Sequence, residues 1–525
     1  MPKISRRTLL ASFATAAAAP SIATATGIRS LGASRPSART RTLDVAIIGA
    51  GVSGCYAAWR LAAANPDLSI GVFERNDRIG GRLWSVTPTG MTEQVAELGG
   101  MRIANNQTPL LNLTSELGLM LDPYPATEPD DSYYLRGIRT RAKDLTCSPE
   151  FGYRPSSEFE GETPREIFDH VLKTLTGRTE WTLNSFSKAR DTLSFQGSRL
   201  IDLPYEYALT QVIDSEAFRF LDDTCGYGHP NLNSCQFLEE AALDLYIKSY
   251  KHVRGGYDLV PKILAAQAIK AGVEFTMGMT FSDLRLEDDL VRIVLEQPNG
   301  PTTEILAKNA IVTIPDSAYG QLDPRSPLAG PNRMTTLRDS LLGVPATKVY
   351  ASFPTQWWRK LGISTGRSIT DLSMQQCFYL NDPSGRGLTL SPYASGSAAE
   401  GFWAPLLKSH PGHRITGESL VGSEIAAQLT QLHGAPVTAP TELLYRDFAG
   451  GYDGFGWNVW KPGARYATLA REGRTPFPDK RVFCCGQATA KIQGWVMDSL
   501  ASVESVLRSD FQLTRPEWWP ENYTI

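Results

Sequence analysis

Two short, largely apolar runs at residues 43–48 and 68–73 flank a stretch with helical periodicity at residues 56–64. Runs of this length and composition predict β-strands, and Pro66 ends the helical pattern between them. Strand, helix and strand in this order predict a βαβ unit, the building block of sheets that are covered by helices.

The rest of the chain alternates between two kinds of pattern, which predicts two domains that each use several chain segments. Residues 106–250 are helical and amphipathic in part, Gly255 starts a second α/β stretch, and residues 320–445 mix strands and helices of another kind. The predicted fold class is α/β, with a Rossmann-like dinucleotide-binding domain and an inserted, partly helical α+β substrate domain. The predicted boundaries are 1–40 for a leader and linker; 41–105, 251–318 and 446–525 for the dinucleotide-binding domain; and 106–250 and 319–445 for the substrate-binding domain.

A glycine motif follows the first predicted strand directly. Gly49-Ala50-Gly51-Val52-Ser53-Gly54 has the spacing G-x-G-x-x-G and opens the predicted helix. Such glycines allow a tight turn and a close approach of the backbone to a pyrophosphate, which then faces the helix N-terminus. Glu74 ends the second strand, twenty residues after Gly54, where a carboxylate accepts hydrogen bonds from ribose hydroxyls. The motif predicts dinucleotide binding without separating FAD from NAD.

The charge pattern sets the N-terminus apart from the body of the chain. All six charged residues among the first 40 are basic, although the whole chain has a net charge of −3. The body is therefore acidic, which argues against a nucleic-acid or anionic-membrane surface. Arg6 and Arg7 precede an uncharged, Ala-rich run, which looks like a twin-arginine export signal. We expect export by the twin-arginine machinery to a periplasmic or secreted location; association with the membrane stays open.

The seven cysteines show no disulfide framework, although Cys225 and Cys235 are close enough in sequence to form a pair. No Cys/His cluster has the spacing of metal ligands, so no metal site is predicted.

A second motif resembles a known family. Arg78-Ile79-Gly80-Gly81-Arg82 resembles the R-x-G-G-R of flavin amine oxidases, and residues 97–102, 481–487 and 494–499 resemble the family segments around the flavin. The resemblance implies FAD as cofactor, with Arg82 on its pyrophosphate. The residues that it places against FAD are Gly49, Gly51, Val52, Ser53, Gly54, Glu74, Arg75, Gly81, Arg82, Gly99, Gly100, Met101, Arg102, Met279, Gly486, Gln487, Gly494, Trp495, Val496 and Ser499.

Two departures from the family pattern change what is expected of the cofactor. An acid usually stands where this chain has Gln487, so we expect altered FAD affinity and not its loss, because an amide also bonds a ribityl hydroxyl. Monoamine oxidases carry the cysteine that links their flavin where this chain has Gly456, so non-covalent FAD is expected.

Within that family, Arg102 resembles the arginine with which L-amino-acid oxidases bind the substrate carboxylate, and a planar guanidinium suits this pairing. The resemblance gives Tyr379, chosen over its neighbour Phe378, a hydroxyl on the same carboxylate. It gives Gly494 and Trp495 the amino group, and Trp457 the opposite wall of the pocket. The substrate-binding residues implied are Arg102, Tyr379, Trp457, Gly494 and Trp495, and the catalytic residue implied is Lys348, bonded through water to flavin N5.

The resemblance implies an L-amino-acid oxidase. Hydride transfer from Cα to flavin N5 would yield an imino acid, which water hydrolyses to a 2-oxo acid and ammonia. O2 would reoxidise the flavin and be released as H2O2. Two alternatives stay open: an exported monoamine or polyamine oxidase, and a flavin-bearing desaturase or binding protein without oxidase turnover. The preferred side chain, the assembly as monomer or homodimer, and the role of residues 106–250 are not decided by the sequence.

Overall fold

The computed structural model describes residues 28–29, 42–125, 128–228, 230–244, 249–521 and 523. The predicted export signal at Arg6 and Arg7 lies outside these residues. Within them, no helix has both the length and the apolar character needed to cross a membrane. All seven cysteines are described and are free thiols.

The first of two large sheets is built around the predicted βαβ unit. The strand Leu43–Ile48 pairs in parallel with Ile70–Phe73 on one side and with Thr302–Val312 on the other. Its side chains are almost entirely buried, as expected for a parallel strand covered on both faces. The strands of this sheet are Ile28–Arg29, Leu43–Ile48, Ile70–Phe73, Glu274–Thr276, Thr280–Leu286, Val291–Glu296, Thr302–Val312 and Val482–Cys484.

Three helices cover one face of this sheet and share a buried apolar cluster with it. They are Val52–Ala64, Leu259–Lys270 and Val496–Ser509. The first and last are also joined by a buried polar contact, because the Tyr56 hydroxyl and the Arg60 guanidinium both donate to the carboxylate of Glu504. Helices from opposite ends of the chain therefore meet over one sheet, and the α/β fold class is confirmed.

The second sheet is largely antiparallel. Its strands are Ser132–Leu135, Ile138–Arg141, Ala346–Phe353, Gly366–Thr370, Gln376–Asn381, Gly387–Ser395, Arg414–Thr416 and Glu442–Phe448. The last strand crosses the boundary predicted at residue 446. It pairs with Ala346–Phe353 along its whole length, so the second sheet includes residues up to Phe448.

Helices and short strand pairs make up the remainder. The other α-helices are Thr108–Glu116, Pro164–Thr176, Leu183–Ala189, Tyr205–Thr210, Ser215–Cys225, Ser234–Asp244, Arg333–Asp339, Gly396–Ala398, Ala404–Leu407, Leu420–His433 and Tyr466–Gly473. The short strands pair as Ile103–Ala104 and Leu121–Tyr124 with Tyr250–Val253, Leu341–Val344 with Trp457–Trp460, Ser85–Val86 with Ala96–Glu97, and Ser194–Phe195 with Ser198–Arg199.

Candidate active site

A long cavity starts at the carboxyl end of the strand Leu43–Ile48, which is where open α/β sheets bind their ligands. Residues from both large sheets line it. The predicted site residues in its lining are Gly49, Gly51, Val52, Ser53, Glu74, Arg75, Gly81, Arg82, Gly99, Gly100, Met279, Lys348, Trp457, Gly486, Gln487, Gly494, Trp495, Val496 and Ser499. Four others, Gly54, Met101, Arg102 and Tyr379, lie outside the lining.

One end of the cavity, called here the glycine-rich end, is formed by Gly49, Gly51, Gly81 and Gly486. Gly49 has a φ of +101°, and the helix that follows has no side-chain cap at Gly51. Its first backbone N–H groups are therefore available to an anion. A Cβ placed on Gly51 would meet only the Cα of Gly81, at 3.9 Å, so the backbone itself forms this part of the wall.

Gly54 does not line the cavity, and its role is to allow close packing of the helix against the turn. A Cβ at this position would lie 1.9 Å from the carbonyl oxygen of Gly49, which no side chain tolerates. Glu74 fixes the same turn from the second strand: its carboxylate accepts from the backbone N–H of Ala50 at 2.8 Å and from that of Asn76 at 2.8 Å. The turn is thus held in shape before any ligand binds.

Arg82 and Gln487 provide a test of whether the cavity fits a dinucleotide. The Arg82 guanidinium donates to the side-chain oxygen of Gln487 and to the carbonyl oxygen of Phe455. Because a guanidinium can only donate, the amide oxygen faces Arg82 and the amide nitrogen is left over. That nitrogen is buried and has no hydrogen-bond partner in the described part of the chain. An acceptor on a ligand in the cavity would satisfy it, so these residues fit FAD.

Lys348 lies in the strand Ala346–Phe353, every residue of which is buried. Its Nζ donates to the carbonyl oxygens of Glu97 at 2.7 Å and Gly99 at 2.6 Å, and it lies 3.4 Å from the sulfur of Met101. Met101 itself is buried and does not line the cavity. Burial lowers the pKa of Lys348, and burial raises the pKa of Glu97. Tyr393 is paired directly with Lys348 across the sheet, so both side chains face the cavity.

Arg102 lies beside the cavity inside a group of aromatic rings. Its guanidinium carbon is 4.0 Å from the ring centroid of Tyr250 and 5.9 Å from that of Phe378, and one N–H donates to the hydroxyl of Tyr227 at 3.3 Å. Within the described residues, no ion pair joins Arg102 to a carboxylate. A largely enclosed cation without a counter-charge favours an anionic ligand.

The same rings connect Arg102 to the cavity lining. Tyr250 lies parallel to Trp495, with 6.4 Å between the ring centroids. Tyr227 meets Trp457 and Tyr393 edge-on, at 5.8 and 5.6 Å. We call this set, with Arg102, the aromatic end of the cavity.

The prediction for Tyr379 is wrong. Its hydroxyl donates to Ser368 Oγ at 2.7 Å and bonds His433 Nε2 at 2.8 Å, on the face of the second sheet away from the cavity. Neighbouring residues of a strand point to opposite faces, so Phe378 takes the side towards Arg102 and Tyr379 cannot. In this sheet, Tyr393 and not Tyr379 lines the cavity with a side chain that has a hydroxyl group.

Three tyrosines at the aromatic end were missed by sequence reasoning. Tyr227 and Tyr250 come from residues 106–250, which match no motif, and nothing in their local sequence points to Arg102. Tyr393 could have been found from the period of two, because it lies directly opposite Lys348 once the two strands are paired.

Comparisons with known proteins identify the family and the fold of this chain. A family model described as flavin containing amine oxidoreductase matches residues 52–502. Aplysianin-A of Aplysia kurodai is 24% identical over 516 residues, covering 90% of each chain. The L-amino acid oxidase bordonein-L of Crotalus durissus terrificus is 23% identical over 464 residues, covering 87% of this chain and 85% of the other. A structure of putrescine oxidase bound to putrescine superposes with a TM-score of 0.66 at 21% identity, over 90% of this chain and 100% of the other, which is a likeness of fold.

Proposed function

We propose that this chain, which belongs to the family of flavin-containing amine oxidoreductases, is an L-amino-acid oxidase. The reaction converts an L-amino acid, O2 and water into a 2-oxo acid, ammonia and H2O2. Membership of this family supports the flavin cofactor and the type of reaction, which is the oxidation of a carbon–nitrogen bond. The substrate class is the part that rests on this chain's own residues.

The observation that carries the proposal is the guanidinium of Arg102 at the aromatic end, which has no carboxylate partner among the residues that the structure describes. A simple amine has no group that would neutralise this charge, whereas the carboxylate of an amino acid would form a planar, two-point pair with it. Tyr250 and Phe378 exclude water from the guanidinium on two sides, so the pair would form where electrostatic attraction is strong.

The rest of the aromatic end would orient the substrate. Tyr393, on the cavity side, offers a hydroxyl close to Arg102 and takes the place predicted for Tyr379. The rings of Trp457 and Trp495 line the cavity and restrict the substrate's rotation. The backbone of Gly494, exposed next to Trp457, offers a carbonyl oxygen to the amino group. Such positioning of reacting atoms is a large part of what a protein adds to cofactor chemistry.

The cofactor proposed is FAD, which when bound accepts the hydride from Cα. The helix N-terminus at Val52, Arg82 and the amide of Gln487 would hold its phosphates and ribityl chain, and Glu74 its ribose. All seven cysteines are described and none lines the cavity, which supports non-covalent binding. Acid precipitation should leave the flavin in the supernatant; flavin fluorescence that stays with the denatured chain would contradict this.

The decisive experiment compares one L-amino acid with its decarboxylated amine, by H2O2 release, on wild type and Arg102→Ala. The substrate carboxylate would lose its partner in an enclosed site, which costs about 3–5 kcal/mol. We expect kcat/KM for the amino acid to fall by about a hundred- to several-thousand-fold. Arg102→Lys should restore only part of this, because an ammonium lacks the planar fork.

The decarboxylated amine distinguishes the proposed L-amino-acid oxidase from the alternative functions. It should be a poor substrate of the wild type and should be affected little by Arg102→Ala. Equal losses on both substrates would show that Arg102 supports the fold or the flavin, and a wild type that prefers the amine would identify an amine oxidase. Release of no H2O2 from either would favour a desaturase or a binding protein. Arg325→Ala, at a guanidinium that is 86% exposed, is the matched control.

We also propose export by the twin-arginine machinery, on the basis of Arg6 and Arg7 before an apolar run. Replacing both by lysine should retain active protein in the cytoplasm. Fractionation of cells that express either form is the measurement, and unchanged export of the lysine variant would exclude this route.

A further inference from the structure

The segment of residues 97–102 has an acidic residue at one end and a basic residue at the other. Lys348, from a strand of the second sheet, bonds to the backbone of this segment. Glu97 is at one end and Arg102 at the other, and the Nζ of Lys348 donates to the carbonyl oxygens of Glu97 and Gly99. Lys348 is 3% exposed, and no ion pair links it to a carboxylate in the part of the chain that the structure describes. Burial lowers the pKa of Lys348, and its charge state then depends on these two neighbours, of which Glu97 raises that pKa and Arg102 lowers it.

The carboxylate of Glu97 cannot swing towards Lys348 to form a direct pair. It is 2% exposed, and its oxygens accept from the hydroxyl of Ser85 at 2.7 Å and from the backbone N–H of Tyr257 at 2.8 Å. Its hydrogen bonds fix its position, so it acts on Lys348 through space in a medium of low polarity. Burial raises the pKa of Glu97, so its own charge also depends on pH.

We propose that binding of a carboxylate at Arg102 is coupled to uptake of a proton by Lys348, and that Glu97 sets the pH range in which this coupling operates. The first half rests on the proposed function, because it takes Arg102 as the carboxylate site. The coupling would ensure that the lysine carries its charge when the substrate is in place.

The direction of the coupling follows from the charges. Burial and the positive charge of Arg102 both lower the pKa of Lys348, while the negative charge of Glu97 raises it. An anion that pairs with Arg102 cancels one of the two lowering effects, so the pKa of Lys348 rises and a proton enters from solvent. By reciprocity, the anion binds more tightly as the pH falls through the range in which Lys348 becomes protonated. Each unit of pKa increase corresponds to about a tenfold gain in affinity.

Other titratable groups near Lys348 do not provide the same effect. The rings of Tyr350 and Tyr393 lie 5.5 and 5.4 Å from its Nζ, and the hydroxyl of Tyr124 contacts the sulfur of Met101. Burial raises the pKa of each of these tyrosines, so they stay neutral. His252 lies 5.9 Å from the ring of Tyr124, and burial lowers its pKa. Asp258, beside Ser85, is already paired with Lys262 at 2.8 Å.

The test measures protons directly, by titrating the flavin-loaded protein with benzoate in a calorimeter. Benzoate has the carboxylate and no amino group, so it cannot be oxidised. Comparing the heat in two buffers of different ionisation enthalpy gives the number of protons taken up for each benzoate bound. We expect a net uptake that varies with pH, and an affinity that rises as the pH is lowered through the same range.

Two variants and one control identify the groups. Lys348→Met should bind benzoate without proton uptake. Glu97→Gln should move the uptake to lower pH, because the charge that supports protonated Lys348 is gone while the amide still accepts from Tyr257. Glu93→Gln removes an exposed carboxylate from the preceding turn and should leave the wild-type profile unchanged.

Each result bears on a different part of the proposal. Benzoate that fails to bind wild type, or binds Arg102→Ala equally well, would overturn the carboxylate site and with it the proposed function. Tight binding without proton uptake, or uptake that persists in Lys348→Met, would overturn the coupling alone. If Glu97→Gln folds poorly, a carbon NMR titration of labelled lysine in wild type, with and without benzoate, still shows whether the pKa of Lys348 rises.

Discussion

The two ends of the cavity are built in different ways. At the glycine-rich end the wall is backbone: Gly51 and Gly81 face each other, and the helix beginning at Val52 presents its N–H groups. At the aromatic end the wall is side chains, where Arg102 is enclosed by rings that include Tyr227 and Tyr250.

This difference separates two tasks. A dinucleotide is recognised mainly through phosphates and hydroxyls that the family's members share, and short turns with few permitted residues provide those contacts. A substrate is recognised through its particular shape and charge, which requires side chains from several parts of the chain to converge. Substitutions at the first end should therefore act on flavin binding and folding, and substitutions at the second should act on turnover with the flavin retained.

The largest effect is expected for Gly54→Ala. The added methyl group would lie 1.9 Å from the carbonyl oxygen of Gly49, so the turn must shift, at a cost of about 3 kcal/mol or more. We expect loss of bound flavin and a lower melting temperature, measured by absorbance and thermal unfolding. Gly401→Ala, at a glycine with no atom within 4 Å of the added carbon, should leave both unchanged. Normal flavin content in Gly54→Ala would contradict the packing role.

A second substitution tests the residue between the two ends. Lys348→Met removes an amino group that faces the cavity and is a cation when protonated. We expect the reduced enzyme to react with O2 about a hundredfold more slowly, as when one electrostatic donor is removed from an active site. Flavin content and the rate of flavin reduction by substrate should change much less. Stopped-flow traces separate the two half-reactions, and an unchanged rate with O2 would remove Lys348 from the mechanism.

The smallest effects distinguish the two faces of the second sheet. Tyr393→Phe should lower kcat/KM for an L-amino acid by about tenfold or more, because a hydrogen bond to a charged group is lost. Tyr379→Phe should leave kcat/KM unchanged and cost about 1–3 kcal/mol of stability, because Ser368 and His433 lose a buried partner. The reverse result, with activity lost only in Tyr379→Phe, would restore the original prediction.

The sequence predicted where a residue lies in the fold when that position depends on its immediate neighbours along the chain. The turn at Gly49–Gly54 and Glu74 were found because spacing along one strand and one helix fixes where they lie. The family resemblance identified Gln487, and the structure then showed that its amide nitrogen is buried without a hydrogen-bond partner among the described residues. Tyr379 was wrong because motif and residue type suggested a hydroxyl but could not tell which of two adjacent residues faces the site.

The sequence by itself determined the α/β class, the dinucleotide turn and the family, because these depend on local periodicity and on short motifs with few alternatives. Only the tertiary structure decided which face of the strand Gln376–Asn381 lies towards Arg102, since a shift of one residue reverses every side chain. It alone also brought Tyr227 and Tyr250 to Arg102, and placed Lys348 where both Glu97 and Arg102 act on its charge. Contacts and charges of this kind act through space between distant segments, so no local pattern along the chain records them.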